Sequence, residues 1–206
     1  MIELGDVVTR KGTHFQQDGQ APSGPGHDFF GHGHEIRAAL SNRLPKQPVR
    51  ALDVGTGFGR NAVFLARQLA SGSHVWSVDP SEESLKRGAV AVQDAGLAAA
   101  VTLGPGSAER LPFRDEEFDL TVGVMLFHHL VEVPPALREM GRVTKLDGKL
   151  LIVDWGPTAH LLPIAIEHRV EDFYTPRAVE KMFLETGFGT TVEQHPMWYV
   201  VEAVKV

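Results

Sequence analysis

Between residues 49 and 155 the chain alternates short apolar runs with stretches of helical periodicity, and this alternation constrains the fold most. The runs are VRALDV (49–54), HVWSVD (74–79), a short one near 100–103, FDLTVGVML (118–126) and KLLIVDW (149–155). Each is apolar nearly throughout, as expected of a strand buried on both faces. Arg60 to Leu69 reads as a helix, with Val63, Phe64 and Leu65 among its apolar positions and Gly72 beyond its end. Ser81 reads as the N-cap of the next helix. Glu82 and Glu83 complement the dipole in its first turn, and Gly96 stops it after about Asp94. PPALREMGRVT (134–144) is helical, with Pro134 and Pro135 at its start. Parallel strands need long crossovers, usually helices, so this order predicts an α/β fold whose parallel sheet is covered on both faces.

The two ends differ. Residues 11–33, KGTHFQQDGQAPSGPGHDFFGHG, have the Gly, Pro, His and Gln content of a long irregular segment. From His34 the pattern turns helical, with Ile36, Ala39, Leu40 and Leu44 on one face, and Pro45 ends it. Thr175 to Thr186 reads as a helix with Pro176 in its first turn and Gly187 at its end. Residues 188–195 and 197–205 then read as successive strands separated only by Pro196, which suits an antiparallel pair. A length of 206 residues suits one domain: residues 1–33 as an N-terminal lid segment and 34–206 as a Rossmann-like core.

The function classes narrow on composition. No apolar run approaches the roughly 20 residues that span a bilayer. The start, MIELGDVVTRKG, lacks the order of a secretory signal, so a cytoplasmic protein without stable membrane association is expected. The absence of cysteine excludes disulfides, thiolate nucleophiles and Cys-ligated zinc. Net charge is −6, and basic residues form no cluster beyond a pair such as Lys86-Arg87. A nucleic-acid partner is not expected, because such proteins carry a basic stripe against the phosphates. A small-molecule substrate is.

The first apolar run ends at Asp53 and passes into GTGFG, with Gly55, Gly57 and Gly59 at every second position. Glycines allow a tight turn and let a ligand approach the backbone. In open α/β sheets ligands bind at the carboxyl ends of the strands. The spacing is not G-x-G-x-x-G, since position 60 is Arg, which argues against a dinucleotide. Asp79 ends the second strand about 20 residues on, where an acidic side chain can accept from ribose hydroxyls. A nucleoside-bearing ligand is expected.

These residues carry a likeness. ALDVGTGFGRNAVFLA, VWSVDPSEESL and ERLPFRDEEFDLTVGVMLFHHL resemble the class I S-adenosylmethionine-dependent methyltransferases, in particular the small-molecule branch with the ubiquinone/menaquinone-type C-methyltransferases. The likeness is strong over about residues 49–155, and the Leu111 to Asp119 run makes it specific. It implies a seven-stranded, mostly parallel sheet of order 3-2-1-4-5-7-6 in a three-layer Rossmann-like sandwich, its last strand antiparallel. It implies S-adenosyl-L-methionine as cofactor. Asp53, Gly55, Gly57 and Gly59 would line its methionine moiety, Asp79 would hold the ribose, and Pro80 would lie against the adenine. Ser107, Ala108 and Glu109 would flank the adenine, and Met125, Leu126 and Phe127 would border the sulfonium. Relatives usually have Asp where this chain has Ser107, so that contact loses its charge.

Methyl transfer is an in-line displacement in which the protein mainly positions the acceptor and excludes water. A base is needed only when the nucleophile carries a proton of high pKa. His128 and His129 follow the fourth run at the right end of the sheet, and either could take that proton; the alternative is that they only begin a loop. His14, His27, His32, His34 and Glu35 match no zinc spacing, so no metal is expected there. Phe15, Phe29 and Phe30 suit a lid over a bound acceptor instead. The resemblance implies further acceptor contacts from the segment that begins at Asp154, where Asp154, Trp155, His160, His168, Arg169 and Tyr174 lie; the other reading there is a plain helical connection with a polar face.

The expected function is therefore S-adenosylmethionine-dependent methyl transfer to a small molecule. The alternatives are a non-catalytic cofactor-binding or regulatory module and, disfavoured by the glycine spacing, a nicotinamide-dependent oxidoreductase. The [DNS]-P-P-[YF] element of amino-methylating nucleic-acid enzymes is replaced by MLFHHL. The acceptor atom and the oligomeric state have no signature in the sequence.

Overall fold

A computed structural model describes residues 32–158 and 174–205. In chain order it contains α1 (Gly33–Ser41), β1 (Arg50–Val54), α2 (Arg60–Gln68), β2 (His74–Asp79), α3 (Glu82–Asp94), β3 (Val101–Pro105) and β4 (Phe118–Val124). These are followed by α4 (Val133–Val143), β5 (Thr144–Trp155), α5 (Pro176–Leu184), β6 (Phe188–Gln194) and β7 (Trp198–Lys205). The sheet has seven strands in the order β3-β2-β1-β4-β5-β7-β6. β1 pairs in parallel with both β2 and β4, while β7 runs antiparallel to β5 and β6. The strand order reverses between β1 and β4, so the crevice for a ligand opens beyond Val54 and Val124.

Local signals and structure agree closely where capping chemistry is explicit. The Ser81 hydroxyl accepts from Ser84 N at 3.2 Å and starts α3. Thr175 accepts from Ala178 N at 3.1 Å and starts α5, with Pro176 at its first position. The two sheet faces carry separate apolar layers. Ile36, Leu65, Val122, Leu151 and Val200 pack on one side, and Leu52, Phe118, Leu137, Ile152, Phe183 and Tyr199 on the other.

Three elements depart from expectation. α1 ends at Ser41, before Pro45, in a tightened turn in which Arg43 N donates to Leu40 O at 2.9 Å; Leu44 is buried from outside the helix. β4 stops at Val124, because Met125 takes a φ of 54° and Phe127–His129 form a single 3-10 turn. β5 begins at Thr144 rather than near 149. Its pairing with β4 jumps from Phe118↔Thr144 to Leu120↔Lys149, and the extra residues bulge with Asp147 at a φ of 59°.

Residues 106–117 cross from β3 to β4 without a helix. Arg142 of α4 holds this crossing by donating to Phe113 O at 2.8 Å, Leu111 O at 3.1 Å and Asp115 at 2.8 Å. Glu139 accepts from Leu111 N at 2.9 Å and from Arg142 at 2.7 Å. The guanidinium holds the Glu139 carboxyl below its usual range, against the opposing effect of burial.

Candidate active site

The turn after β1 is built on left-handed backbone, with φ of 94° at Gly55, 49° at Gly57 and 74° at Gly59. Gly55 N and Thr56 N donate to Val78 O at 2.8 and 3.0 Å, which docks the turn onto the end of β2. The three glycines do different things. A Cβ on Gly57 would meet nothing within 4 Å, so its backbone faces open space, and one on Gly55 would touch Leu126 at 3.4 Å. A Cβ on Gly59 would lie 2.7 Å from the Cα of Gly88. The missing side chain of Gly59 therefore serves the contact between α2 and α3. Gly88 itself was not singled out in the sequence. Its Cβ would meet Thr56 Cγ2 at 2.5 Å, so the turn fits only against a glycine. A glycine inside a helix is the signal that could have found it.

Asp79 joins the turn to α3. Its Oδ2 accepts from Gly57 N at 3.0 Å and its Oδ1 from Ser81 N at 2.9 Å. Each oxygen keeps a second lone pair for a hydroxyl donor. Asp53 is fully buried on β1, and its Oδ2 accepts from the Ser77 hydroxyl at 2.7 Å. Ser77 is bonded in turn to Thr56 at 2.8 Å. With the Ser77 proton committed to Asp53, Thr56 is the donor in that second bond. Asp53 Oδ1 has no partner among the described residues. Burial pushes the Asp53 carboxyl up to about 7; the Ser77 bond opposes this and the nearby Asp79 charge adds to it. Neither Thr56 nor Ser77 was expected at the site.

Beside Asp79, Pro80 is exposed, and Gly106 N donates to Asp79 O at 3.3 Å. That bond ties the loop that carries Ser107, Ala108 and Glu109 to the end of β2. Ala108 is buried, Glu109 is exposed, and Ser107 O accepts from Arg110 N at 3.1 Å. An open groove of about 800 Å³ runs along Pro105, Gly106 and Arg110 to Arg114, flanking this loop rather than the glycine turn.

At the end of β4, Met125 N donates to Val153 O at 2.7 Å, and both Met125 and Leu126 are half-buried. Phe127 is fully buried in the core, so it does not border a sulfonium as expected. The two histidines divide. His129 is exposed, whereas His128 is buried with its Nδ1 2.5 Å from Asp154 Oδ1, and the two rings lie 4.1 Å apart. Asp154 also accepts from Phe127 N at 2.6 Å and Trp155 N at 2.7 Å. Burial alone would raise this carboxyl; the facing imidazole and the two amides outweigh it and hold it below the usual range. Asp154 and Trp155 are 1% and 2% exposed. Their expected part as acceptor contacts is thus replaced by others: Asp154 ties β5 to the turn after β4, and Trp155 packs in the core with its ring 6.3 Å from that of His32. Phe29, Phe30, His168 and residues 1–31 of the lid segment lie outside the described residues. Among the described residues no group of His, Asp and Glu could hold a metal ion; His32 and Glu35 pair at 3.1 Å.

The open backbone at Gly57, the unpartnered oxygen of buried Asp53 and the spare lone pairs of Asp79 fit a ligand with a cationic amino-acid end and a ribose. Comparison with known proteins agrees. Residues 52–152 match the family model described as "Methyltransferase domain". The chain is 29% identical over 140 residues to the uncharacterized methyltransferase YcgJ of Bacillus subtilis, covering 68% of this chain and 54% of that protein. It is 26% identical over 158 residues to the ubiquinone/menaquinone biosynthesis C-methyltransferase UbiE of Shewanella oneidensis, covering 77% of this chain and 60% of that protein. It thus spans little more than half the length of these relatives. The crystal structure of a SAM-dependent methyltransferase from Aquifex aeolicus superposes with a TM-score of 0.70 at 26% identity, over 82% of this chain and 88% of the other. Sequence and fold together place residues 52–152 among the methyltransferase domains and liken the chain to the class I S-adenosylmethionine-dependent methyltransferases. No helix among the described residues is long and apolar enough to cross a membrane.

Proposed function

We propose that this protein transfers the methyl group of S-adenosylmethionine to a small-molecule acceptor by in-line displacement. The carrying observation is the Asp79 carboxylate, which fixes the open Gly57 backbone at 3.0 Å while retaining acceptor capacity at the end of β2. When bound, the cofactor supplies the electrophilic methyl carbon. Asp79 accepts from the ribose hydroxyls, Pro80 and Ala108 flank the adenine, and Asp53, Gly55 and Gly57 receive the methionine end. Met125 and Leu126 sit nearest the reacting centre. The net charge of −6 supports a small molecule rather than nucleic acid. The name of the UbiE relative makes a quinone-type ring the first acceptor class to screen.

A proton leaving such an acceptor goes to His128 or His129. Asp154 holds Nδ1 of His128, so exchange at that ring uses Nε2. His128 is buried, so exchange there requires the fold to open, whereas His129 is exposed. The test is turnover with a quinone-type acceptor in His128→Ala and His129→Ala. A drop in kcat of about 100-fold or more in one variant, with cofactor affinity kept, identifies the base. Full turnover in both removes proton transfer to histidine from the mechanism.

A further inference from the structure

We propose that Asp53 is a proton-exchange site: its carboxyl is neutral in the cofactor-free protein, and the cationic methionine end of the cofactor displaces that proton to solvent on binding. This rests on the reading above, which puts the methionine end at Asp53. The geometry carries the rest. Asp53 is fully buried, and the groups around it leave its charge uncompensated. On β2 it meets the Ser77 hydroxyl and a second acid, Asp79; on the turn it meets Thr56 through Ser77; and its partner on β4 is the apolar Val122. No Lys, Arg or His among the described residues pairs with it. An ionised carboxylate buried with one hydroxyl donor and a like charge nearby takes up a proton instead. The raised titration of this carboxyl, to about 7, agrees with the environment.

Ser77 is the positioning residue. It holds Oδ2 through a bond of 2.7 Å, leaving Oδ1 as the oxygen with no protein partner. A carboxylic O–H there has no acceptor to serve. An ammonium N–H placed there has a carboxylate to meet. On binding, the O–H bond of Asp53 breaks, the proton passes to buffer and an ammonium–carboxylate pair forms. Nothing is oxidised or reduced. The consequence is a cofactor affinity coupled to pH below neutrality, where the free site holds its proton more firmly.

Two measurements test this. In the cofactor-free protein with ¹³C-labelled aspartate, the Asp53 carboxyl, assigned by its loss in Asp53→Asn, should titrate well above the ordinary range near 3.9. Ser77→Ala, which removes the hydrogen bond that favours the charged form, should raise the midpoint further. A midpoint near 4 overturns the proposal whatever the cofactor does. Next, S-adenosylmethionine binding is measured calorimetrically at pH 6.5 in buffers of different ionisation heat, where an α-amino group is still largely cationic. The native protein should release more than about half a proton per site and Asp53→Asn none. Equal release by both overturns the displacement. Failure of the native protein to bind overturns the functional reading itself, and the titration of the free carboxyl tells that failure apart.

Discussion

Replacing Asp154 with Asn changes one heavy atom and should weaken the tie between β4 and β5. The side chain is 1% exposed and receives three donors: His128 Nδ1 at 2.5 Å, Phe127 N at 2.6 Å and Trp155 N at 2.7 Å. Asn has one acceptor oxygen and one NH₂. Placed either way round, the NH₂ faces an N–H that now has no acceptor. Two losses add. The surviving bonds no longer have an ionised acceptor, where a charge-assisted bond is worth about 1.5–3 kcal/mol. The buried N–H left without an acceptor costs about a further 1–3 kcal/mol. We expect destabilisation of about 3–4 kcal/mol, which for a chain of this size lowers Tm by roughly 10 °C. The assay is urea unfolding of both proteins at pH 7, repeated towards acid. Asp154 titrates below its ordinary value when folded, so the unfolded chain takes up the proton first. Its contribution is complete above about pH 4 and is lost as pH falls, so the gap between the two proteins must narrow in acid. A gap within about 0.5 kcal/mol at pH 7, the range of an ordinary surface change, would refute the reasoning. So would a gap that is unchanged down to pH 3.

Three other substitutions probe the cofactor side. Asp79→Ala should weaken S-adenosylmethionine binding by about 2 kcal/mol, measured calorimetrically, because it removes a charged acceptor and frees the amides of Gly57 and Ser81; native affinity would exclude the ribose role. Gly88→Ala puts a Cβ 2.5 Å from Thr56 Cγ2, and should cost about 1–3 kcal/mol in urea unfolding and weaken cofactor binding as well. A variant as stable as the native protein would show that the turn can yield. Arg142→Ala releases the carbonyls of Leu111 and Phe113 and should cost about 2 kcal/mol of stability while loosening the adenine side. Unchanged proteolysis of residues 106–117 would contradict that.

The architecture was legible because apolar strand runs, caps and the terminal hairpin are local signals. Ser81 and Thr175 start their helices as read, and the order of strands follows the likeness carried by the glycine turn and the Leu111 to Asp119 run. What failed depends on contacts between distant segments. Nothing local says that Gly59 faces Gly88 across two helices, or that Ser77 points at Asp53 rather than into the sheet. Asp154 and Trp155 were placed at the correct end of β5, yet side-chain direction made one a buried anchor and the other core. Phe127 likewise turns inward, because Met125 bends the chain in the left-handed region. The early start of β5 was hidden because the helical reading ran through Thr144, and only pairing with Phe118 makes Thr144 part of the strand.

The turn at Gly55–Gly59 and the acids beside it are built to receive an adenosyl cofactor. Parallel calorimetric titration of the purified protein with S-adenosylmethionine, S-adenosylhomocysteine and NAD tests it most directly. Both adenosyl ligands should bind at micromolar concentration and NAD not at all. Binding of NAD alone, or of none of the three, would contradict it.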